Sequence, residues 1–251
     1  MNILLKVAIL VSLCEIGYSW KYPRNADQTL WAWRSCQKGN YDPELVKKWM
    51  AFEIPDDEVT HCYIKCVWTH LGMYDETSQT IRADRVKQQF KARGLSVPAE
   101  ISHLEGSTGG SCVTIYKKTR AFLETQMPNY RIAFYGTVEE SDKWFANNPE
   151  TKPKRIKISD FCKGREAGTE GTCKHACSMY YYRLVDEDNL VIPFRKLPGI
   201  LDSQLEQCRD QASSETGCKV GDTIYNCLNR INPEGLKKAL NTLDEQSLTL
   251  Y

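Results

Sequence analysis

The segments VTHCYIKCVWTH at residues 59–70 and CKHACSMYYYRL at residues 173–184 decide the fold of this chain. Each carries two cysteines in the spacing C-x3-C, and its apolar residues recur at intervals of three and four. That period is typical of a helix that buries one face. Residues four apart project from the same helical face, so each segment predicts a helix whose two cysteines meet neighbouring parts of the chain.

The other cysteines extend this pattern into a degenerate repeat. The second half contains six cysteines and the first half four: Cys162, Cys173, Cys177, Cys208, Cys218 and Cys227, against Cys36, Cys62, Cys66 and Cys112. An acidic turn follows each C-x3-C helix, so we predict two related domains. The polar stretch NNPETKP at residues 147–153 carries two prolines and cannot continue a helix. We place the domains at residues 20–148 and 158–251, with a linker at 149–157.

The first nineteen residues are typical of an export signal. Lys6 supplies the basic flank, Ile3–Leu5 and Ala8–Leu13 are apolar, and Gly17 and Ser19 suit a cleavage site. An N-terminal anchor helix is the alternative, but the apolar run is too short to span a membrane. We therefore expect a secreted chain that begins near Trp20 and binds no membrane. Cys14 leaves with the signal, and the ten remaining cysteines predict five disulfides in an oxidising compartment.

Helical patterns dominate the mature sequence and predict an all-α fold. Arg131–Tyr135 and Leu190–Phe194 are short extended pieces at most. The predicted helices are Asp27–Lys38, Pro43–Phe52, Asp56–Leu71, Ala83–Arg93, Gly110–Gln126, Val138–Asn147, Thr172–Val185, Leu201–Ala212, Val220–Ile231 and Glu234–Glu245.

The composition argues against several classes of function. The formal net charge is +1 with no long basic block, so nothing indicates nucleic-acid binding. The chain has only four histidines and lacks a G-x-S-x-G elbow, a P-loop and an H-E-x-x-H motif. We therefore predict that it is not an enzyme, and we expect a monomer without a cofactor.

Two alternative sites deserve weighing. Cys62, Cys66 and His70 share one helical face and are ligand types that zinc accepts. In a secreted chain, however, disulfide formation outcompetes thiolate ligation, which leaves His61 and His70 as surface or partly packed residues. The run at residues 106–111, GSTGGS, lacks the lysine of a phosphate-binding loop, so a plain loop before a helix is favoured.

Aromatic residues are the informative excess, with six Trp and thirteen Tyr. Five aromatic side chains fall on the first three predicted helices: Trp31, Trp33, Trp49, Phe52 and Tyr63. Ordinary core packing and the wall of an apolar ligand channel remain open for each of them. A basic run follows where the chain leaves the first domain, comprising Lys152, Lys154, Arg155 and Lys157. It is either a solvated linker or a source of cations for a ligand.

A helix with C-x3-C, followed by C-x8-C, resembles the insect odorant-binding protein superfamily. Two such domains behind an export signal resemble the D7 salivary proteins of blood-feeding flies, and sand-fly members most. The stretches WMAFEIPDDEVTHCYIKCVWTHLGMY (49–74) and FYGTVEESDKWFANNPETKPKRIKISDFCK (134–163) carry the resemblance, with KYPRNADQTLWAWRSC (21–36). The first half lacks the family's fourth and sixth cysteines. The resemblance implies the pairs Cys36–Cys66, Cys62–Cys112, Cys162–Cys177, Cys173–Cys218 and Cys208–Cys227.

The resemblance also implies a function and a site. It implies a salivary scavenger of host lipid mediators, chiefly cysteinyl leukotrienes and thromboxane A2, that inhibits platelet aggregation, vasoconstriction and inflammation. The five aromatic side chains would line the pocket in the first domain, and Arg155 and Lys157 would lie at its mouth, with Lys157 meeting the ligand carboxylate. Biogenic amines in the second domain, adenine nucleotides near Tyr135 and Lys143, and volatile ligands remain alternatives.

Overall fold

The computed structural model describes residues 22–165 and 173–250. The predicted export signal lies outside these residues. They form eleven α-helices, a single 3-10 helix and one short β-hairpin, so the prediction of an all-α fold is confirmed. No helix among them is long and apolar enough to cross a bilayer.

The elements follow the chain in a simple order. The helices of the first half are α1 (Ala26–Cys36), α2 (Pro43–Met50), α3 (Glu58–His70), α4 (Ala83–Ala92), the 3-10 helix (Ala99–Leu104), α5 (Cys112–Ala133) and α6 (Val138–Asn147). The strands β1 (Tyr74–Asp75) and β2 (Thr80–Ile81) pair antiparallel between α3 and α4. The second half contains α7 (Ile158–Cys162), α8 (Ala176–Tyr181), α9 (Asp202–Ala212), α10 (Lys219–Ile231) and α11 (Pro233–Leu250).

Helix α3 is the centre of the first half. Asp57 caps it, because its carboxylate accepts a hydrogen bond from the Thr60 backbone N–H at 2.7 Å. Two disulfides hold the helix between its neighbours: Cys66 joins the end of α1 at Cys36, and Cys62 joins the start of α5 at Cys112. The helix predicted from the first C-x3-C segment is therefore present, with its cysteines directed to two different neighbours.

The five disulfides pair the cysteines as the resemblance implies. The other three lie in the second half, at Cys162–Cys177, Cys173–Cys218 and Cys208–Cys227. Their loops close over 15, 45 and 19 residues. A disulfide typically contributes about 2–4 kcal/mol to stability, so a hollow or small core becomes tolerable.

Some predicted elements differ in the structure. Helix α5 continues through Pro128 to Ala133, so the prediction of an extended piece at Arg131–Tyr135 is wrong. Burial of Tyr130, Ala133 and Phe134 in the core compensates for the hydrogen bond that Pro128 cannot donate. At Leu190–Phe194 the structure shows only a single bridge between Val185 and Val191.

Helix α8 is also shorter than predicted. It begins at Ala176, whereas the prediction began at Thr172, and Cys173 precedes it as a non-helical residue. Helix α10 fixes the start of α8, because the Asp222 carboxylate of α10 accepts hydrogen bonds from the backbone N–H groups of Lys174 and His175. The sequence patterns did not predict the hairpin, the 3-10 helix or α7, which are each too short to show a period.

Two hydrophobic clusters form the interior. The first cluster runs from Trp31 to Phe134 and the second from Ile158 to Leu243. Polar contacts join them: the Arg183 guanidinium donates to the buried Asp27 carboxylate, and the Arg24 guanidinium lies 3.4 Å from Glu187. This seam also contains Lys152, fully buried, whose ammonium donates to the backbone carbonyls of Pro153 and Ile156. The division into domains at residues 149–157 stays a prediction.

Candidate functional site

A cleft opens into the first cluster between helices α1, α2 and α3 and the start of α6. Its outer chamber encloses about 130 Å³. Aromatic side chains form most of the wall and polar groups lie at the rim. The lining residues are Leu30, Trp33, Arg34, Gln37, Trp49, Met50, Phe52, Tyr63, Tyr135, Gly136, Thr137, Val138, Ser141 and Lys154.

The wall is rigid where Trp49 meets Tyr63. Their rings stack in parallel, with centroids 4.1 Å apart. The Trp49 indole N–H donates to the Thr60 hydroxyl at 3.0 Å, and that hydroxyl donates to the Asp57 cap of α3 at 2.8 Å. The residue that caps α3 therefore also fixes the cleft wall.

A smaller chamber of about 30 Å³, the inner chamber, adjoins the outer one within the first cluster. Trp33, Trp49, Phe52 and Tyr63 line both chambers, so the two spaces are neighbours behind one aromatic wall. Ile54 of the loop before α3 and side chains of α3 and α5 complete the inner chamber. Those on the two helices are Ile64, Val67, Trp68, Thr119, Leu123, Met127 and Tyr130.

The outer rim contains a line of polar groups along α1. The Arg34 guanidinium donates to the Gln37 amide oxygen at 3.0 Å, and the Gln37 amide nitrogen donates to the Tyr63 hydroxyl at 3.4 Å. Within residues 22–165 and 173–250, no carboxylate forms an ion pair with Arg34. Burial lowers the pKa of Arg34, but a guanidinium stays charged at neutral pH. Burial raises the pKa of Tyr63 to about 12, so its hydroxyl keeps its proton and can donate.

Lys154 and Tyr135 also line the outer chamber. The Lys154 ammonium is 2.8 Å from the Asp142 carboxylate and 5.0 Å from the Phe145 ring centroid. The Tyr135 ring is 4.0 Å from the Arg93 guanidinium. The cleft therefore combines an aromatic wall with two cations, of which Lys154 is already paired with a carboxylate.

The structure brings five of the predicted ligand residues together: Trp33, Trp49, Phe52, Tyr63 and Tyr135 all line the outer chamber. It does not bring Trp31, Arg155 or Lys157 to this cleft. Trp31 lies at the seam, with its ring 4.9 Å from that of His70. Arg155 is exposed, and the Lys157 ammonium pairs with the Glu245 carboxylate of α11 at 2.5 Å. A ligand role for these three residues stays a prediction without support from the cavity.

Sequence reasoning missed the rim residues Arg34 and Gln37 and the inner wall from α5. Arg34 follows Trp33 directly, and Gln37 follows three residues later on the same face of α1. Leu123, Met127 and Tyr130 recur at i, i+4 and i+7. This spacing is typical of a helix. Met127 and Tyr130 lie beyond the predicted end of the helix at Gln126, so they were not assigned to it.

Among the described residues, one group has the geometry to be weighed as a metal site: Cys36, Cys66 and His70. The two sulfurs form a disulfide, so neither is a thiolate. His70 donates from Nδ1 to the Cys66 carbonyl at 2.9 Å, and burial lowers its pKa to about 4. The His70 ring packs between Trp31 and Phe194 at the seam, which is a structural arrangement.

Comparison with known proteins gives a consistent family. The PBP/GOBP family matches residues 27–103, the segment that contains α1 to α4. The long form salivary protein D7LC of Phlebotomus papatasi is 49% identical over 255 residues and covers all of both chains.

Solved structures agree with this relationship. The D7 protein of Phlebotomus duboscqi superposes with a TM-score of 0.84 at 48% identity, covering 93% of this chain and 100% of that one. Two more distant structures share the fold. AeD7 has a TM-score of 0.72 at 19% identity, covering 92% of both chains, and AnSt-D7L1 has 0.65 at 24%, covering 92% and 90%.

Proposed function

The chain belongs to the D7 family of long-form salivary proteins, and from that premise we propose that it sequesters acidic lipid mediators in the cleft of the first cluster. Its relatives are named as salivary proteins, so it is a protein secreted into saliva. The family consists of ligand-binding proteins. The ligands we propose are eicosanoids, foremost cysteinyl leukotrienes and thromboxane A2.

One observation carries the proposal: the cleft is aromatic inside and cationic at its mouth. A lipid tail gains free energy when it leaves water for an apolar wall, at about 0.8 kcal/mol per buried methylene. A carboxylate loses its hydration at such a site unless charged donors replace the water. Arg34 supplies a guanidinium that no described carboxylate neutralises, and Lys154 adds a second cation that already pairs with Asp142. The arrangement fits an amphipathic acid that enters tail first.

Polar groups partway along the wall suit an oxygenated lipid better than a plain fatty acid. The Tyr63 hydroxyl accepts from Gln37 and keeps its own proton free to donate. Its ring stacks on Trp49, which fixes the direction of that hydroxyl. Two structures of the same fold support this class of ligand, since AeD7 was solved with leukotriene E4 and AnSt-D7L1 with the thromboxane analogue U46619.

The proposed action is stoichiometric. One lipid binds per chain, and removal of free mediator inhibits platelet aggregation, vasoconstriction and inflammation at the feeding site. The proposal involves no turnover, because the ligand is held in the cleft and released unchanged.

Calorimetry of the full chain with arachidonate and with its methyl ester tests this proposal. We expect one site for each ligand. A hydrogen bond between charged groups contributes about 1.5–3 kcal/mol, so Arg34→Gln should weaken arachidonate by roughly ten- to a hundredfold and spare the ester. Lys157→Gln tests the sequence-based alternative, and Lys196→Gln, on the exposed surface of the second half, is the control. Equal weakening of acid and ester by Arg34→Gln, or no binding of either by the native chain, would contradict the proposal.

A further inference from the structure

Four aromatic side chains line both the outer chamber and the inner chamber, and three of them are held in place. The Trp49 indole donates to Thr60, and Tyr63 accepts from Gln37. Trp33 is 9% exposed and lies on helix α1, which is buried on both sides. Rotation of Trp49 or Tyr63 breaks a hydrogen bond, and rotation of Trp33 disturbs the packing of α1, so we expect all three to stay in place when a ligand enters.

Phe52 is the exception among the four, since its ring has no polar atom. It contacts Trp33 edge-on at 5.0 Å and lies 5.1 Å from the Arg131 guanidinium. Phe52 follows α2 in the left-handed backbone region, with φ of +62°. That conformation is uncommon for a bulky residue and directs this side chain back into the cluster.

The absence of a side chain at Gly136 leaves the space that the Phe52 ring occupies. A Cβ at position 136 would lie 2.7 Å from the tip of that ring and 3.1 Å from the Arg131 Cα. A residue with any side chain at position 136 would therefore displace the ring or the end of α5. The ring fills a notch that exists because position 136 is glycine.

The volumes of the two chambers imply that the position of the Phe52 ring affects which ligands fit. Sites for drug-sized ligands enclose about 300–1,000 Å³, whereas the two chambers enclose about 130 and 30 Å³. A twenty-carbon tail does not fit the outer chamber alone. It needs the inner chamber and the space that a moving ring vacates, and of the shared wall the Phe52 ring is the partly buried one that neither a hydrogen bond nor a helix holds.

We propose that Phe52 determines the chain length of the lipids this protein accepts. The ring leaves the notch at Gly136 when a long tail passes into the inner chamber, and it stays in place over a short one. Short acids therefore use the outer chamber only, while long acids gain the inner chamber after displacing the ring. This inference rests on the proposed function, because it concerns the same cleft.

Calorimetry with octanoate, dodecanoate and arachidonate tests the inference on the full chain. Each buried methylene raises affinity about fourfold, so the native chain has a measurable length profile. Phe52→Leu removes most of the ring and keeps an apolar residue. We expect it to raise the ratio of arachidonate affinity to octanoate affinity about three- to tenfold, since a long tail no longer displaces an ordered side chain and both acids lose the same ring contacts in the outer chamber.

Met127→Phe tests the other side of the wall. Met127 lines the inner chamber alone, and a larger ring there fills the space without touching the rim. We expect arachidonate to weaken more than tenfold and octanoate to stay within twofold. Phe161→Leu is the matched control, because Phe161 is a partly buried aromatic residue that packs against the second cluster.

The outcomes separate this inference from the function on which it rests. Opposite shifts of the arachidonate-to-octanoate affinity ratio in Phe52→Leu and Met127→Phe support it. An equal change of all three acids in Phe52→Leu, or an unchanged arachidonate affinity in Met127→Phe, overturns the inference and leaves the proposed function in place. If the native chain binds none of the acids, both are overturned.

Discussion

The first cluster and the second cluster enclose space in different ways. The first holds two small chambers behind a wall of aromatic rings. The second borders a groove of about 440 Å³, larger than either chamber, along α10 and α11. That groove is lined by Glu234, Lys237, Asn229, Asn241 and Asp244 as well as by apolar groups.

The difference shows that volume alone does not identify a lipid site. A groove with carboxylates of its own repels a lipid acid and keeps its water, because exposed charges are well solvated. Asp244 is buried at the groove's base and accepts from the Tyr182 hydroxyl at 3.0 Å, so its carboxylate is already used within the fold. The small aromatic chambers match an apolar tail better, and their charged groups lie only at the mouth.

The largest expected effect tests whether the two clusters unfold together or independently. Asp27→Asn removes the carboxylate that Arg183 donates to at the seam, where the two side chains are 1% and 3% exposed. Breaking a buried ion pair costs about 3–5 kcal/mol. Urea unfolding followed at both clusters should show this loss in a single transition.

The matched control is Asp202→Asn, which breaks an ion pair with Lys196 whose side chains are 66% and 75% exposed. It should change the free energy of unfolding by about 1 kcal/mol or less. A loss confined to the second cluster in Asp27→Asn, with the first unaffected, would instead show that the clusters unfold independently.

A smaller effect should appear with pH, from His70 at the seam. Burial lowers the pKa of His70 to about 4, whereas an unfolded histidine titrates near 6.5. Between these values the unfolded chain binds a proton that the folded chain does not. His70 should therefore contribute a rise in the free energy of unfolding with pH through this window, of about 3 kcal/mol, and no slope above it.

Thermal unfolding at several pH values measures this rise. His70→Asn should remove it, and His103→Asn, at an exposed histidine, should leave it in place. Asp186 works in the opposite direction over nearly the same window, because burial raises its pKa to about 6. The His70 contribution is therefore the difference in slope between the native chain and His70→Asn. A native slope that persists unchanged in His70→Asn would exclude the seam histidine as its source.

The sequence predicted the scaffold of the first cluster better than the directions of its side chains. The C-x3-C spacing led to α3, and four of the five aromatic residues chosen on the first three helices line the cleft. Trp31 does not, because residues two apart on a helix lie about 200° apart around its axis. Trp31 and Trp33 therefore face opposite sides of α1, and both sides are buried. Only tertiary packing distinguishes the two.

The charged residues were harder to predict for a related reason. The Glu245 partner of Lys157 is 88 residues away in the chain, and a linker has no periodicity that predicts such a contact. Nothing in the sequence distinguishes Arg34 from an ordinary surface cation on α1. Its position at the cleft mouth depends on α6 packing beside α1, which no local pattern in either helix reveals.

A crystal structure of the full chain with leukotriene E4 bound tests the central claim most directly. We predict one ligand per chain, with its tail between Trp33 and Trp49, a carboxylate within hydrogen-bond distance of the Arg34 guanidinium, and the Phe52 ring displaced from the notch at Gly136. A ligand seated in the groove along α10 and α11, with the two chambers of the first cluster unchanged, would contradict the account.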